Sequence, residues 1–94
     1  MFSAKVGSNN EIQLAGRFDA SQVAAAKEVL DKITTSSTVD FRELEYISSA
    51  GMGVLLATQK RLSESGHKLA LVNLNKHIRD IFGYAGFDRV FEIR

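Results

Sequence analysis

The chain has no cysteine and no proline among its 94 residues. Without cysteine there is neither a disulfide framework nor a thiolate metal site, so a domain this small must hold together by packing alone, which suits a reducing compartment. Without proline, a low-complexity tract or a shift in composition, nothing marks a linker, and no internal repeat stands out. Charge of one sign is missing too: 12 Lys and Arg against 11 Asp and Glu leave a net +1, a weak overall field for attracting nucleic acid or another polyanion. Long apolar runs are also absent. Stretches such as Gly53-Val54-Leu55-Leu56-Ala57 fall far short of the roughly 20 residues that span a bilayer. Met1-Phe2-Ser3-Ala4-Lys5 lacks the basic and apolar segments of an export signal.

What is present resembles an ordinary soluble domain. An apolar content of 45% and a charged content of 24% lie near the usual roughly 45–50% and 25%, which argues against disorder, collagen and coiled coil. We therefore expect one cytoplasmic domain over residues 1–94, with no membrane span, no nucleic-acid partner and no cofactor.

Gly7-Ser8-Asn9-Asn10 is a cluster of turn formers between Met1–Val6 and Glu11–Ala15, which predicts a strand, a tight turn and a second strand. Val23, Ala26, Leu30 and Ile33 recur along one helical stripe, and Asp19 with Gln22 three positions later has the form of a capping box. Thr34–Thr38 breaks that helix, and Val39-Asp40-Phe41 predicts a short buried strand. A second helix is expected over about Ala50 to Ser65, with Met52, Leu55, Leu56 and Leu62 on one face and Gly66 ending it. Leu69–Leu74 predicts a buried strand. Ile78, Ile81, Phe82 and Ala85 predict a third helix capped by Asn75 and ended by Gly86, and Val90–Ile93 an edge strand. The fold class is α/β: a mixed, mostly parallel sheet of about four or five strands with about three helices after an N-terminal hairpin.

In such sheets functional groups gather where strand ends meet helix starts, here around Asp19, Ser48–Gly53 and Asn73–Lys76. The run Asp40 through Gly53 is the most distinctive in the chain, placing Ser48, Ser49, Gly51 and Gly53 at a predicted helix start. Two readings stand side by side. One serine is an N-cap and the glycines allow close packing, or one serine presents its hydroxyl for phosphorylation, where helix N–H groups and the helix dipole favour a phosphate. A nucleophilic serine is disfavoured, because there is no Gly-x-Ser-x-Gly elbow and neither histidine lies nearby in sequence. His67 and His77 read as surface groups, lacking a paired ligand at metal spacing. Arg42/Glu43 and Arg79/Asp80 read as solvated charges, and Tyr84, Phe87 and Phe91 as core or core edge.

The Asp40–Gly53 stretch resembles the Asp-Leu-Ser-x-Val-x-x-Ile-Asp-Ser-Ser-Gly-Leu-Gly run of the STAS domain family, found in bacterial anti-sigma factor antagonists and sulphate transporters. Asp40, Leu44, Ile47, Ser49, Gly51 and Gly53 match in register. Gly16-Arg17-Phe18-Asp19-Ala20 looks like the family's Gly-x-Leu-Asp-Ala turn, and Phe82–Ile93 like its helix-Gly-Phe-Asp ending, so the resemblance covers nearly the whole chain. It departs at Ser48, where the family has Asp, and at Ala50, where it has a second serine. The missing carboxylate makes Ser48 a rival acceptor.

The resemblance implies a phosphorylation-controlled partner switch rather than an enzyme. In that scheme the unphosphorylated protein binds an anti-sigma factor that is also a serine kinase. The kinase phosphorylates the residue matching Ser49, the complex separates, and a metal-dependent serine phosphatase restores the starting state. The expected partner-binding residues are Asp19, Ser48, Ser49, Ala50, Gly51, Met52 and Gly53, with no catalytic or metal-binding residue. The alternative is a STAS scaffold or ligand-binding module, not phosphorylated, in a signalling or transport complex.

Overall fold

The computed structural model describes residues 2–94. Strands β1 (Ser3–Val6) and β2 (Ile12–Phe18) form the expected antiparallel hairpin. Its turn is closed by the Gly7 N–H donating to the Glu11 carbonyl at 2.7 Å. The elements that follow are α1 (Val23–Leu30), β3 (Ser37–Ile47), α2 (Ser49–Ser63), β4 (Leu69–Val72), α3 (Lys76–Tyr84) and β5 (Glu92–Ile93). The sheet order is β1-β2-β3-β4-β5; β1 and β2 pair antiparallel and the three later pairs are parallel. Parallel neighbours in sequential order each need a crossover, which α1, α2 and α3 supply, and this gives the mixed α/β sheet foreseen above.

One face of β2 is buried through Ile12, Leu14 and Phe18, while Gln13, Ala15 and Arg17 face outward between them. On that outer side the Arg17 guanidinium lies 4.4 Å from the centre of the Tyr46 ring. The core continues through Leu30, Val39, Phe41, Leu55, Leu71 and Ile78. Among the described residues Thr58 is the polar one admitted to it, because its hydroxyl donates to the Val54 carbonyl at 3.0 Å.

Four expectations need correction. The strand expected over Val39–Phe41 runs from Ser37 to Ile47. Two register shifts against β2 make the buried positions Val39, Phe41, Leu44 and Ile47 fall at spacings of two, three and three. Each irregularity adds a residue and re-aims the next side chain inward, so strict alternation stops at Phe41 while the strand continues. The first helix ends at Leu30, and Ile33 reaches the core from the loop beyond it. The last strand is confined to Glu92–Ile93; Phe87–Arg89 forms a 3-10 turn and Val90 is exposed. Tyr84 is 89% exposed, because it lies about 200° round α3 from Phe82, whose ring packs on Phe41, Phe87 and Phe91.

A single side chain fastens α1 to α2. Arg61 donates from Nη1 to the Ile33 carbonyl at 2.8 Å and from Nη2 to the Leu30 carbonyl at 3.0 Å. Carbonyls at a helix C-terminus lack helical partners, and a cation there also meets the negative end of the dipole. Hydrogen bonds to charged groups contribute roughly 1.5–3 kcal/mol. Arg61→Ala is therefore expected to lower the urea-unfolding free energy by about 2 kcal/mol. Arg61→Lys recovers only part of this loss, since an ammonium cannot reproduce the planar fork.

Candidate functional site

The last register pair of β2 and β3 is Phe18 with Ile47, so the two parallel strands release their chains side by side. The junction is closed by the Ser48 N–H donating to the Phe18 carbonyl at 2.9 Å. Ser48 has an extended backbone, and its Oγ accepts from the Gly51 N–H at 3.2 Å while its carbonyl accepts from the Met52 N–H at 2.9 Å. It is the N-cap of α2. Ser49 follows as the first helical residue and is exposed, as is Ala50.

The two glycines of the motif do different things. A Cβ on Gly51 would stand 2.9 Å from Ile47 Cγ1, 3.0 Å from the Phe18 carbonyl oxygen and 3.1 Å from Phe18 Cδ1. Gly51 is buried and lets the helix start sit directly on the strand ends. Around Gly53 a Cβ would meet nothing within 4 Å, and the residue is exposed. Met52 is half-buried and packs against the core.

Asp19 stands at the end of β2, half-buried, and caps a 3-10 turn over Ala20–Gln22 that leads into α1 and packs on α2. Its Oδ1 accepts from the Ser21 hydroxyl at 2.6 Å and the Ser21 N–H at 3.0 Å. The expected capping box is not formed: Gln22 donates its amide to Ser21 Oγ instead, because the tight turn brings residue 21 to the carboxylate. The Ser21 hydroxyl, then the Ser21 N–H and the nearby Arg17 charge, hold the Asp19 carboxyl below its ordinary pKa.

The Asp19 and Ser48–Gly53 junctions thus meet, but Asn73–Lys76 stays apart. Along β3, strand β4 reaches only Ser37–Asp40. Asn73 accordingly donates to Asp40 at 3.0 Å, and Asn75, the cap of α3, donates to the Leu44 carbonyl at 3.3 Å, both short of the Ser48 turn along the strand. Phe18 is the participant that residue patterns miss, since it contributes a backbone carbonyl and a ring edge under Gly51. Among the described residues no group of three or more His, Asp or Glu is placed to hold a metal ion, and no helix is long and apolar enough to cross a membrane.

Two outcomes follow from this geometry. Gly51→Ala must push the helix start off Phe18 and Ile47 and is expected to lower stability by about 1–3 kcal/mol. Gly53→Ala meets open space and is expected to raise it by up to about 1 kcal/mol, the helix-propensity difference; denaturant unfolding of both variants checks the contrast. Asp19 supplies a pH signature. A carboxyl with a depressed folded pKa contributes stability above its unfolded pKa and loses it as pH falls through the folded value. The protection of the Ser21 amide, the slowing of its exchange relative to that of an unstructured amide at the same pH, should therefore fall as the pH drops below the ordinary Asp range, and Asp19→Asn should remove that pH dependence.

Residues 1–93 match the family described as Mlab, STAS domain. A Bordetella bronchiseptica protein that carries the name of an anti-sigma factor antagonist, BtrV, is 36% identical over 64 residues, covering 68% of this chain and 55% of that protein. The chain thus spans little more than half the length of that relative. The crystal structure of a Thermotoga maritima protein, also named for an anti-sigma factor antagonist, superposes with a TM-score of 0.79 at 23% identity, covering 99% of this chain and 85% of that one. The Bacillus cell fate determinant SpoIIAA in its phosphorylated form gives a TM-score of 0.70 at 18% identity, covering 100% and 91%. At these identities the solved structures speak for the fold, whereas the family match extends over nearly the whole sequence. The chain belongs to the STAS domain family.

Proposed function

We propose that this protein, acting as one domain over residues 1–94, is a phosphorylation-controlled antagonist of an anti-sigma factor. In its unphosphorylated form it binds an anti-sigma factor with serine kinase activity, phosphorylation at Ser49 ends the complex, and a metal-dependent serine phosphatase restores it. The observation that carries this reading is the division of labour between adjacent serines. Ser48 is half-buried with its hydroxyl oxygen accepting the Gly51 N–H, whereas Ser49 is exposed on the first turn of α2. The names of relatives such as BtrV support the same general role.

The chemistry of release follows from the site. A phosphate adds about −1.5 to −2 charges at neutral pH. At an exposed helix start this is favoured by roughly 0.3–1 kcal/mol, so the free protein accepts it. Buried unpaired against a partner it costs several kcal/mol, and each ~1.4 kcal/mol is tenfold in affinity. The second effect outweighs the first, and partner affinity falls by orders of magnitude. The interface in this proposal is the Asp19 turn, Ser48–Gly53 and the outer side of α2.

The test is phosphate incorporation from ATP with the cognate kinase, mapped by phosphopeptide mass spectrometry. Ser49→Ala should abolish incorporation. Ser48→Ala should retain it while losing about 1 kcal/mol of stability with the cap. Incorporation into Ser49→Ala at the wild-type rate would move the acceptor to Ser48. One observation favours a second reading, a constitutive STAS scaffold in a signalling or transport complex: no acid precedes Ser49, because Ser48 occupies that position. Partner binding with no phosphate on either serine would select it.

A further inference from the structure

Beside the Arg61 clasp, α1 and α2 border an open groove of about 490 Å³. Val23 and Val54 form its apolar wall, and Ala50, Gly53 and Ala57 line it from α2 without filling it. Ala50 also adjoins Ser49, so the groove begins one residue from the proposed phosphorylation site. Gly53 is out of place on structural grounds alone. Glycine within a helix is less favourable than alanine, yet no neighbouring atom excludes a methyl group there.

The charges on the groove are uneven. Lys27 and Arg61 line it together with a single acid, Asp31. Arg61 is held by two neutral carbonyls, and among the described residues neither Lys27 nor Arg61 lies within ion-pair distance of a carboxylate. The site therefore offers apolar depth, shallow walls that admit a second backbone, and one net positive charge along its rim.

We propose that this groove receives an apolar segment of the partner that carries carboxylates, seated between α1 and α2 with its acids at Lys27 and Arg61. The inference rests on the partner-switch reading and extends it. A phosphate on Ser49 would stand at the mouth of the groove, where it repels an acidic occupant as well as having to be desolvated. Charge complementarity with Lys27 and Arg61 favours an acidic segment over a basic one.

The test uses short random peptides displayed on phage and selected on the unphosphorylated full-length chain. Selected sequences are then synthesised and titrated against wild type, Gly53→Phe and Lys27→Glu. Gly53→Phe fills the groove from a position with open space around it, and Lys27→Glu alters an exposed side chain, so the second variant keeps the test intact if the first fails to fold by circular dichroism. The expected result is enrichment of peptides combining Leu or Phe with Asp or Glu, binding lost in Gly53→Phe and weakened about tenfold in Lys27→Glu. Basic peptides, peptides that bind Gly53→Phe as well as wild type, self-association that titrates on the same face, or no enrichment would each overturn the proposal. Because no kinase is involved, a negative result here leaves phosphorylation at Ser49 standing, and a failure of Ser49 to accept phosphate leaves the groove to be judged on its own data.

Discussion

The approach of α2 to the ends of β2 and β3 is the constraint on which the rest of this molecule depends. It is set by an atom that is missing, the Cβ of Gly51, above the Phe18 carbonyl and the Ile47 side chain. Once the helix start lies that close, the Ser48 N–H reaches Phe18, the Ser48 hydroxyl reaches the Gly51 amide, and Ser49 is left pointing at solvent. A larger residue at 51 would disturb the cap, the strand ends and the presentation of Ser49 together. In the proposed switch, stability and binding thus share a few backbone contacts at this junction, which lets a small chain without disulfides hold a surface hydroxyl in a defined place.

The far ends of α1 and α2 are tied by Arg61, so the two helices are fixed at one end by a guanidinium and at the other by the turn from Asp19 to α1 packing on α2. Between these ties the surface stays open and mostly apolar. A preformed frame around an unfilled groove reduces the entropy lost when a partner binds, because little of the receiving surface has to be ordered. In the proposed switch the phosphate alters charge at the edge of this frame and leaves the frame itself in place.

Much of this was legible in the residues. Asn75 and Gly86 mark the ends of α3 as capping and left-handed residues do elsewhere, and the Asp40–Gly53 run points to the junction by its serines and glycines alone. What stayed hidden was hidden for physical reasons. The length of β3 was obscured because two bulges broke the period of two on which recognition of a strand depends. The separate roles of Gly51 and Gly53 were invisible because identical residues two positions apart lie about 200° apart on a helix, one against the sheet and one in solvent. The cap could not be assigned between Ser48 and Ser49 until the backbone showed which of them is extended and which is helical. The Phe18 carbonyl left no trace in composition or spacing.

Ser49 sits on a preformed helix start, so in the proposed switch phosphorylation changes what the surface can bind without changing the fold. The most direct measurement compares amide correlation spectra and thermal unfolding of the protein before and after stoichiometric phosphorylation. The expected result is shifts confined to Asp19–Gln22 and the first turns of α2, with a melting temperature unchanged or raised by a few degrees. Shifts spread through β4, α3 and β5, or a large fall in melting temperature, would contradict it and point to a switch that works by refolding.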